Sequence, residues 1–494
     1  MKPNLTIEFD NSFANLPEEF YVKMHPEVMP ELKLIRLNET LCQSLNIVPS
    51  DLQNESGVNF LGGKNILLNE QPLAQAYAGH QFGNFVPQLG DGRAMLLGEV
   101  IGEDGIRRDI QLKGSGKTPF SRMGDGRAGL GPVLREYIVS EGMAGLKIPT
   151  TRALAALLTG ETVVRDIPVP GAILTRVAES HIRIGTFQYF AHKGQTDQVK
   201  TLANYVIKRH YSHLEKKKNK YLMLLDNVIQ KQADLIANWM GVGFIHGVMN
   251  TDNMTLSGET IDFGPCAFMD SFDVNQVYSS IDAQGRYRYS NQPYIAVWNL
   301  SRFAETILPL ISKNQEEAIK LAETALEKFL PTFSCQWTEI MGKKLGLKTP
   351  QPDDRKLIET LLELMQAGQA DFTLTFRNLS KVLESDDDNR WLSLFSNKSE
   401  NKNQLWLKKW KKRLATEKPS KESIIKNLNS ANPCIIPRNH LIEVCISDGL
   451  KGNFEQFQKL TTALEHPFLE HLEFSQFSKP PEKSEIVRET FCGT

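Results

Sequence analysis

The sequence predicts an α+β fold in two lobes, with an N-terminal cover before them and a helical C-terminal extension after them. Three observations lead there. Short apolar runs bounded by Gly or charge, the pattern of strands, are confined to residues 75–185. Apolar residues at helical spacing dominate after Phe190. Beyond Gly346, amphipathic stretches alternate with polar, Lys-rich connectors. The 494 residues correspond to roughly three units at about 150 residues per domain. The expected boundaries are 1–187 for the cover and β-rich lobe, 188–345 for the helical lobe and 346–494 for the extension.

Within the cover, one helix is expected over Leu32 to Leu45. Strands are expected over Ala94 to Val100, Asp109 to Leu112 and Ala172 to Val177. A helix over Val133 to Gly145 interrupts them, because Val133, Leu134, Tyr137 and Ile138 recur at helical spacing. Further helices are expected over Gln198 to His213, Tyr221 to Trp239, Ala296 to Ile311 and Gln315 to Phe333. A loop-rich segment, Gly241 to Ser290, breaks this series and carries most of the chemistry. In the extension, Asp354 to Ala367 and Asp371 to Leu383 read as helices. Trp406 and Trp410 share one helical face in a Lys-rich stretch, which favours a packed amphipathic helix over a nucleic-acid or membrane patch.

Composition excludes several classes. A net charge of −1 argues against binding nucleic acid through bulk electrostatics, so any polyanion site must be local. Six cysteines without a CxxC pair suggest a reducing compartment rather than a disulfide framework or zinc site. The N-terminus MKPNLTIEFDNSF lacks an apolar signal core, and no run approaches the roughly 18 apolar residues a membrane helix needs. A cytoplasmic monomer with no nucleic-acid or membrane partner is expected.

The chemistry-bearing motifs come in order along the chain. Gly90-Asp91-Gly92-Arg93-Ala94 recurs as Gly124-Asp125-Gly126-Arg127-Ala128, and glycine turns let backbone N–H groups approach phosphate oxygens. Lys113 ends a short strand and Glu136 lies on the following helix, the arrangement by which a protein-kinase-like lobe holds a lysine against nucleotide phosphates. Each of the two could equally be a solvated surface charge. Arg176 and Arg183 could grip phosphate together, although spacing alone favours strand-surface pairing with Glu179 or Asp166.

The strongest signal is His246-Gly247-Val248 leading to Asp252-Asn253, then Asp262-Phe263-Gly264. A kinase reads HRDxxxxN and then DFG. Val248 occupies the place of the kinase catalytic Asp and cannot accept a proton; the neighbouring carboxylate is Asp252. Asn253 and Asp262 offer oxygen ligands suited to Mg²⁺ or Mn²⁺. His246 and His80 are expected to be structural.

Five long runs resemble the selenoprotein O (SelO) family of bacterial type, protein-kinase-like enzymes that transfer AMP. They are AYAGHQFGNFVPQLGDGRA from Ala76, DIQLKGSGKTPFSRMGDGRAGLGPVLREYIVSEGM from Asp109, HGVMNTDNM from His246, IDFGPCAFMD from Ile261 and NPCIIPRNHLIE from Asn432. The resemblance implies a kinase-like bilobal fold that binds ATP inverted, with its α-phosphate facing the acceptor hydroxyl of a protein Ser, Thr or Tyr. It implies nucleotide contacts from Gly90, Gly92 and Arg93, and from Lys113 paired with Glu136. It implies that Asp125, Gly126, Arg176 and Arg183 hold the buried end of the nucleotide. It makes Asp252 the proton acceptor and Asn253 and Asp262 the metal ligands. A C-terminal thiol, here Cys492, would pair with Cys266 for redox control, or both would stay free. UMP transfer from UTP, γ-phosphoryl transfer, and a silent nucleotide-binding scaffold acting through residues 346–494 are the alternatives. Val248 speaks against phosphoryl transfer, and the joint presence of Lys113, Glu136, Asn253 and Asp262 speaks against the scaffold.

Overall fold

A computed structural model describes residues 7–64, 71–385, 387–396, 400–417 and 420–491. Eight strands make one antiparallel sheet: β1 (Tyr21–Lys23), β2 (Lys33–Leu37), β3 (Leu73–Gln75), β6 (Ala94–Ile101), β7 (Arg107–Lys113), β8 (Ala128–Gly129), β9 (Arg152–Val164) and β10 (Pro168–Ala178). Their order is β1-β3-β6-β7-β10-β9-β2, with β8 on β10. Two small pairs lie outside it: the hairpin β4 (Gly79–Gln81) and β5 (Asn84–Val86), and β11 (Phe244–Ile245) with β12 (Ala267–Phe268).

Alternation along β7 divides the sheet into two unlike faces. Ile110 and Leu112 point to the back, where they join Leu97, Leu157, Ile173 and Val177 in an apolar cluster. Leu41, Leu52 and Phe60 of the N-terminal segment complete that cluster, from helices α1 (Glu39–Ser44), α2 (Pro49–Gln53) and α3 (Glu55–Leu61). Gln111 and Lys113 point to the front, where α4 (Leu130–Gly145) packs through Leu130, Val133, Leu134, Tyr137 and Ile138. Helices α1 to α3 are thus the apolar backing of the sheet, while β1 and β2 of the same N-terminal segment belong to the sheet itself.

Helices follow: α5 (Ile184–His192), α6 (Thr196–His210), α7 (Lys220–Gly241), α8 (Gln292–Ile311), α9 (Gln315–Leu326) and α10 (Phe329–Lys344). The segment between α7 and α8 holds only β11, β12 and single 3₁₀ turns, as expected of a loop-rich region. Beyond it run α11 (Asp354–Gly368), α12 (Phe372–Arg377), α13 (Leu379–Ser385), α14 (Asn389–Leu392), α15 (Glu400–Ala415), α16 (Lys421–Ala431), α17 (Asn439–Leu450) and α18 (Glu455–Glu465). Trp406 and Trp410 are buried on one face of α15, stack 6.2 Å apart, and donate their indole N–H groups to the Leu357 and Leu345 carbonyls at 2.9 Å.

Several expectations are corrected. The helix expected over Leu32 to Leu45 is instead strand β2, paired with β9, followed by α1, which Asn38 caps by accepting from the Leu41 N–H at 3.1 Å. β9 was not anticipated: its Arg-Ala-Leu-Ala-Ala-Leu-Leu run has helical propensity, which pairing to strands on both sides overrides. The helix expected over Gln315 to Phe333 breaks between α9 and α10. That over Asp371 to Leu383 breaks at Asn378. No described helix is long and apolar enough to cross a membrane. Among the described residues no disulfide links the cysteines, and Cys266 is buried; Cys492 lies outside the described residues.

Candidate active site

A cavity of about 960 Å³ opens on the front of the sheet, and both GDGRA turns, Lys113, Asp252, Asn253 and Asp262 line it. Strand register sets its cationic wall. Arg176 on β10 lies opposite Gln111 on β7, so it shares the front face with Lys113. The Gln111 Oε1 accepts from Arg176 Nη2 at 2.6 Å and Nε at 3.2 Å, which fixes the guanidinium plane. Lys113 Nζ donates to Glu136 Oε2 of α4 at 2.6 Å.

Three cations converge on one carboxylate. Asp262 accepts from Lys113 at 2.8 Å, Arg176 at 2.6 Å and Arg183 at 3.0 Å. Burial alone would raise its pKa; the three cations overcome this and hold the carboxyl well below the usual range. Asp262 also has φ +62°, a left-handed conformation uncommon for a residue with a side chain. Arg183 is at the N-terminus of α5 rather than on a strand, where it also donates to the Asp252 carbonyl at 2.9 Å and stacks over the Tyr77 ring at 4.3 Å. Neither arginine pairs with Glu179 or Asp166, the partners that spacing favoured; both are buried, and Arg176 lines the cavity.

Asp252 has the opposite electrostatics. Its carboxylate accepts one long bond, from Gln81 Nε2 at 3.3 Å, while Oδ1 has no partner. Burial pushes its pKa up to about 6, against the smaller effects of hydrogen bonding and Arg183. A weakly solvated carboxylate of this kind is suited to accept a proton. The loop that presents it is pinned from several sides. The His246 Nε2 donates to the Ile261 carbonyl at 2.9 Å and the ring stacks on Trp239 at 5.3 Å. Thr251 Oγ1 accepts from the His80 N–H at 2.7 Å and donates to Gln188 at 2.6 Å. His80 itself shares a hydrogen bond with Gln188 at 2.8 Å. Both histidines brace this loop through hydrogen bonds.

The two GDGRA turns line the same cavity but differ in detail. In the first, Asp91 is buried and ties the turn to the sheet by accepting from the Gln75 N–H at 3.0 Å and Gln111 Nε2 at 3.2 Å. Burial pushes its pKa up to about 6. Gly90 has φ +81°, and a Cβ there would lie 2.3 Å from Phe120. Gly92 and the half-buried Arg93 line the cavity beside it. In the second turn Gly126 has φ +70°, and a Cβ would lie 2.1 Å from the Gly116 carbonyl oxygen. Its arginine, Arg127, is bound to Glu27 at 2.8 Å and Glu161 at 2.9 Å. Asp125 is exposed at the rim and paired with Arg165 at 2.7 Å, so it is not at the buried end of the cavity.

For a metal ion the donor set fits. Asn253 is anchored through Nδ2, which donates to the Val248 carbonyl at 2.8 Å, leaving its amide oxygen as acceptor. Asp262 supplies a carboxylate in the same cavity. Two hard oxygen donors suit Mg²⁺ or Mn²⁺, which take their remaining ligands from phosphate and water. Among the described residues no group of three or more His, Cys, Asp and Glu forms a self-sufficient metal cage.

Tyr77, Gln81, Asp91 and Gln111 were not singled out from the sequence. Each lies within the runs that carry the family resemblance, and Gln111 sits two residues from Lys113 on the same strand face.

The family model described as "Protein adenylyltransferase SelO" matches residues 3–465. The chain belongs to the SelO family. It is a nucleotidyltransferase, and SelO relatives match it over almost their whole lengths. "Protein nucleotidyltransferase YdiU" of Rhodopseudomonas palustris strain BisB18 is 52% identical, covering 98% of this chain and 99% of the relative. The proteins of the same name from Bradyrhizobium sp. strain BTAi1 and Methylorubrum populi are 51% and 49% identical, with 98% and 99% coverage in each case.

Proposed function

We propose that this SelO-family enzyme transfers AMP from ATP to Ser, Thr or Tyr hydroxyls of proteins and releases pyrophosphate. One observation carries the reading: a nearly unpartnered carboxylate, Asp252, shares a cavity with Asp262, on which three cations gather. The family's description as an adenylyltransferase supports ATP as donor.

The acceptor oxygen attacks the α-phosphorus, forming an O–P bond as the bond to the β-phosphate bridging oxygen breaks. The hydroxyl proton passes to an Asp252 carboxylate oxygen, since Val248 cannot take it. Lys113, Arg176 and Arg183 stabilise the charge that develops on pyrophosphate, as preorganised donors in a site with little water. Gly90, Gly92, Arg93 and Gly126 line the path of the nucleotide, and Asp125 stands at its rim. Mg²⁺ or Mn²⁺ held by Asn253 and Asp262 would neutralise phosphate charge when bound. The Lys113–Glu136 pair and the ordered Asp252, Asn253 and Asp262 loops support a kinase-like bilobal fold. In that fold residues 1–187 and 188–345 form the lobes and 346–494 an extension.

The test is to incubate the protein with Mg²⁺ or Mn²⁺ and ATP labelled at either the α or the γ phosphate. Covalent label on acceptor protein from the α position is expected. Label from γ alone would make the enzyme a kinase, and α-labelled UTP in parallel reads the choice of base.

A further inference from the structure

The hairpin β4–β5 and the loop before α8 meet beside Asp252, and both are fastened to the same residue of the catalytic loop. Asn250 Oδ1 accepts from the Phe82 N–H at 3.1 Å and from the Tyr287 hydroxyl at 2.6 Å. Gln81 reaches Asp252 from the hairpin. Any polypeptide presenting a hydroxyl to Asp252 from outside the nucleotide cavity therefore has this surface as a neighbour.

That surface has an unusual cation. Arg286 stacks over Trp298 at 4.8 Å and Tyr287 at 5.7 Å, and lies 3.6 Å from the Cβ position of Gly83 in the hairpin. Among the described residues no carboxylate lies within ion-pair distance of it, whereas Lys113, Arg176 and Arg183 are all paired. The acid on its own loop, Asp282, is occupied by backbone, accepting from the Arg286 N–H at 2.8 Å and the Tyr287 N–H at 2.7 Å. On α8, Tyr294, Trp298 and Arg302 follow at four-residue spacing and so share a face. Tyr294 is 60% exposed. Arg302 stacks on Trp298 at 5.2 Å while paired with Glu305 at 2.7 Å. Trp, Tyr and Arg in one patch are the residue types that dominate binding energy at protein interfaces. A guanidinium held against aromatic rings keeps N–H groups available to a carboxylate.

We infer that Arg286, with the Tyr294–Trp298–Arg302 face and the hairpin, docks the acceptor polypeptide and selects acidic residues flanking the hydroxyl to be modified. This rests on the adenylyl-transfer reading, and the two fail differently.

The experiment uses the full chain, divalent metal, α-labelled ATP and synthetic acceptor peptides that are identical except for Asp/Glu or Lys on either side of the Ser, Thr or Tyr. The wild type is expected to favour the acidic peptide by about tenfold in kcat/KM, the scale of one charge-assisted contact. Arg286→Glu should abolish or invert this preference, mainly through KM, while Arg286→Lys retains part of it. ATP-induced thermal stabilisation should match the wild type in both variants, which reports that they fold. Equal use of the two peptides by the wild type, or an unchanged preference in folded Arg286→Glu, overturns the inference. If no peptide accepts α label, adenylyl transfer itself fails, and the docking role falls with it.

Discussion

Replacing Asp262 with Asn leaves three cations facing a neutral amide. Lys113 and Arg176 keep Glu136, at 2.6 and 3.3 Å, but Arg183 loses the one side-chain carboxylate within ion-pair distance among the described residues and keeps its bonds to the Asp252 and His181 carbonyls. The side chains of Arg176 and Arg183 are 3% and 1% exposed, so solvent screens them little. Breaking a buried ion pair from one side typically costs about 3–5 kcal/mol, and a lower melting temperature is expected. The same change removes the anion that competes with phosphate for these cations. In EDTA, ATP should therefore bind the variant more tightly than the wild type, by about tenfold for each 1.4 kcal/mol of competition removed. It should also restore a larger part of the variant's melting temperature. Turnover with Mg²⁺ or Mn²⁺ should be lost. Thermal melts and calorimetric titrations with and without EDTA measure all three. A variant that melts with the wild type and binds metal-free ATP no better would refute the convergence of cations on Asp262.

Asp252→Ala should lower the transfer rate by a factor of about 10²–10⁴ while leaving ATP affinity intact, as read by single-turnover labelling and calorimetry. Gly79→Ala should act on the same residue from behind, because its Cβ would lie 2.3 Å from Asp252 Oδ1; labelling should show a larger loss in kcat than in ATP affinity. Lys344 is buried against Phe372 and Phe376, and burial lowers its pKa from 10.5 to about 7. The unfolded chain then binds more protons between those values, so stability rises with pH across that window, at up to about 1.4 kcal/mol per unit. Lys344→Met should remove this slope and raise stability most at pH 7 and below, in melts run from pH 6 to 10.

Local signals made parts of the site legible. Lys113 ends a strand and Glu136 rides a helix packed on the same face of the sheet, so their meeting follows from two short patterns. The Asp262-Phe263-Gly264 and Asp252-Asn253 loops were legible for the same reason. What spacing could not give was the partner of Arg176 and Arg183: each reaches Asp262, 86 and 79 residues away along the chain. β2 and β9 illustrate the same limit in the fold, since their Leu-rich and Ala-rich runs are compatible with helix until pairing between distant segments decides. Asp125 shows that a repeated motif does not imply a repeated environment: its turn copies the first, but Arg165 holds it at the exposed rim while Asp91 is buried against Gln75 and Gln111.

The two-faced sheet ties correctness of folding to the possibility of chemistry. Lys113 stands opposite Leu174 and Ala94, and Gln111 opposite Arg176. A slip of β7 by one residue would turn Ile110 and Leu112 into the cavity and drive Lys113 and Gln111 against the greasy underside formed with Leu41 and Phe60. No intermediate register offers a weaker but working site. An insertion or deletion of one residue in this strand is therefore expected to remove activity and solubility together, so the hydrophobic backing acts as a proofreader for the placement of the charges.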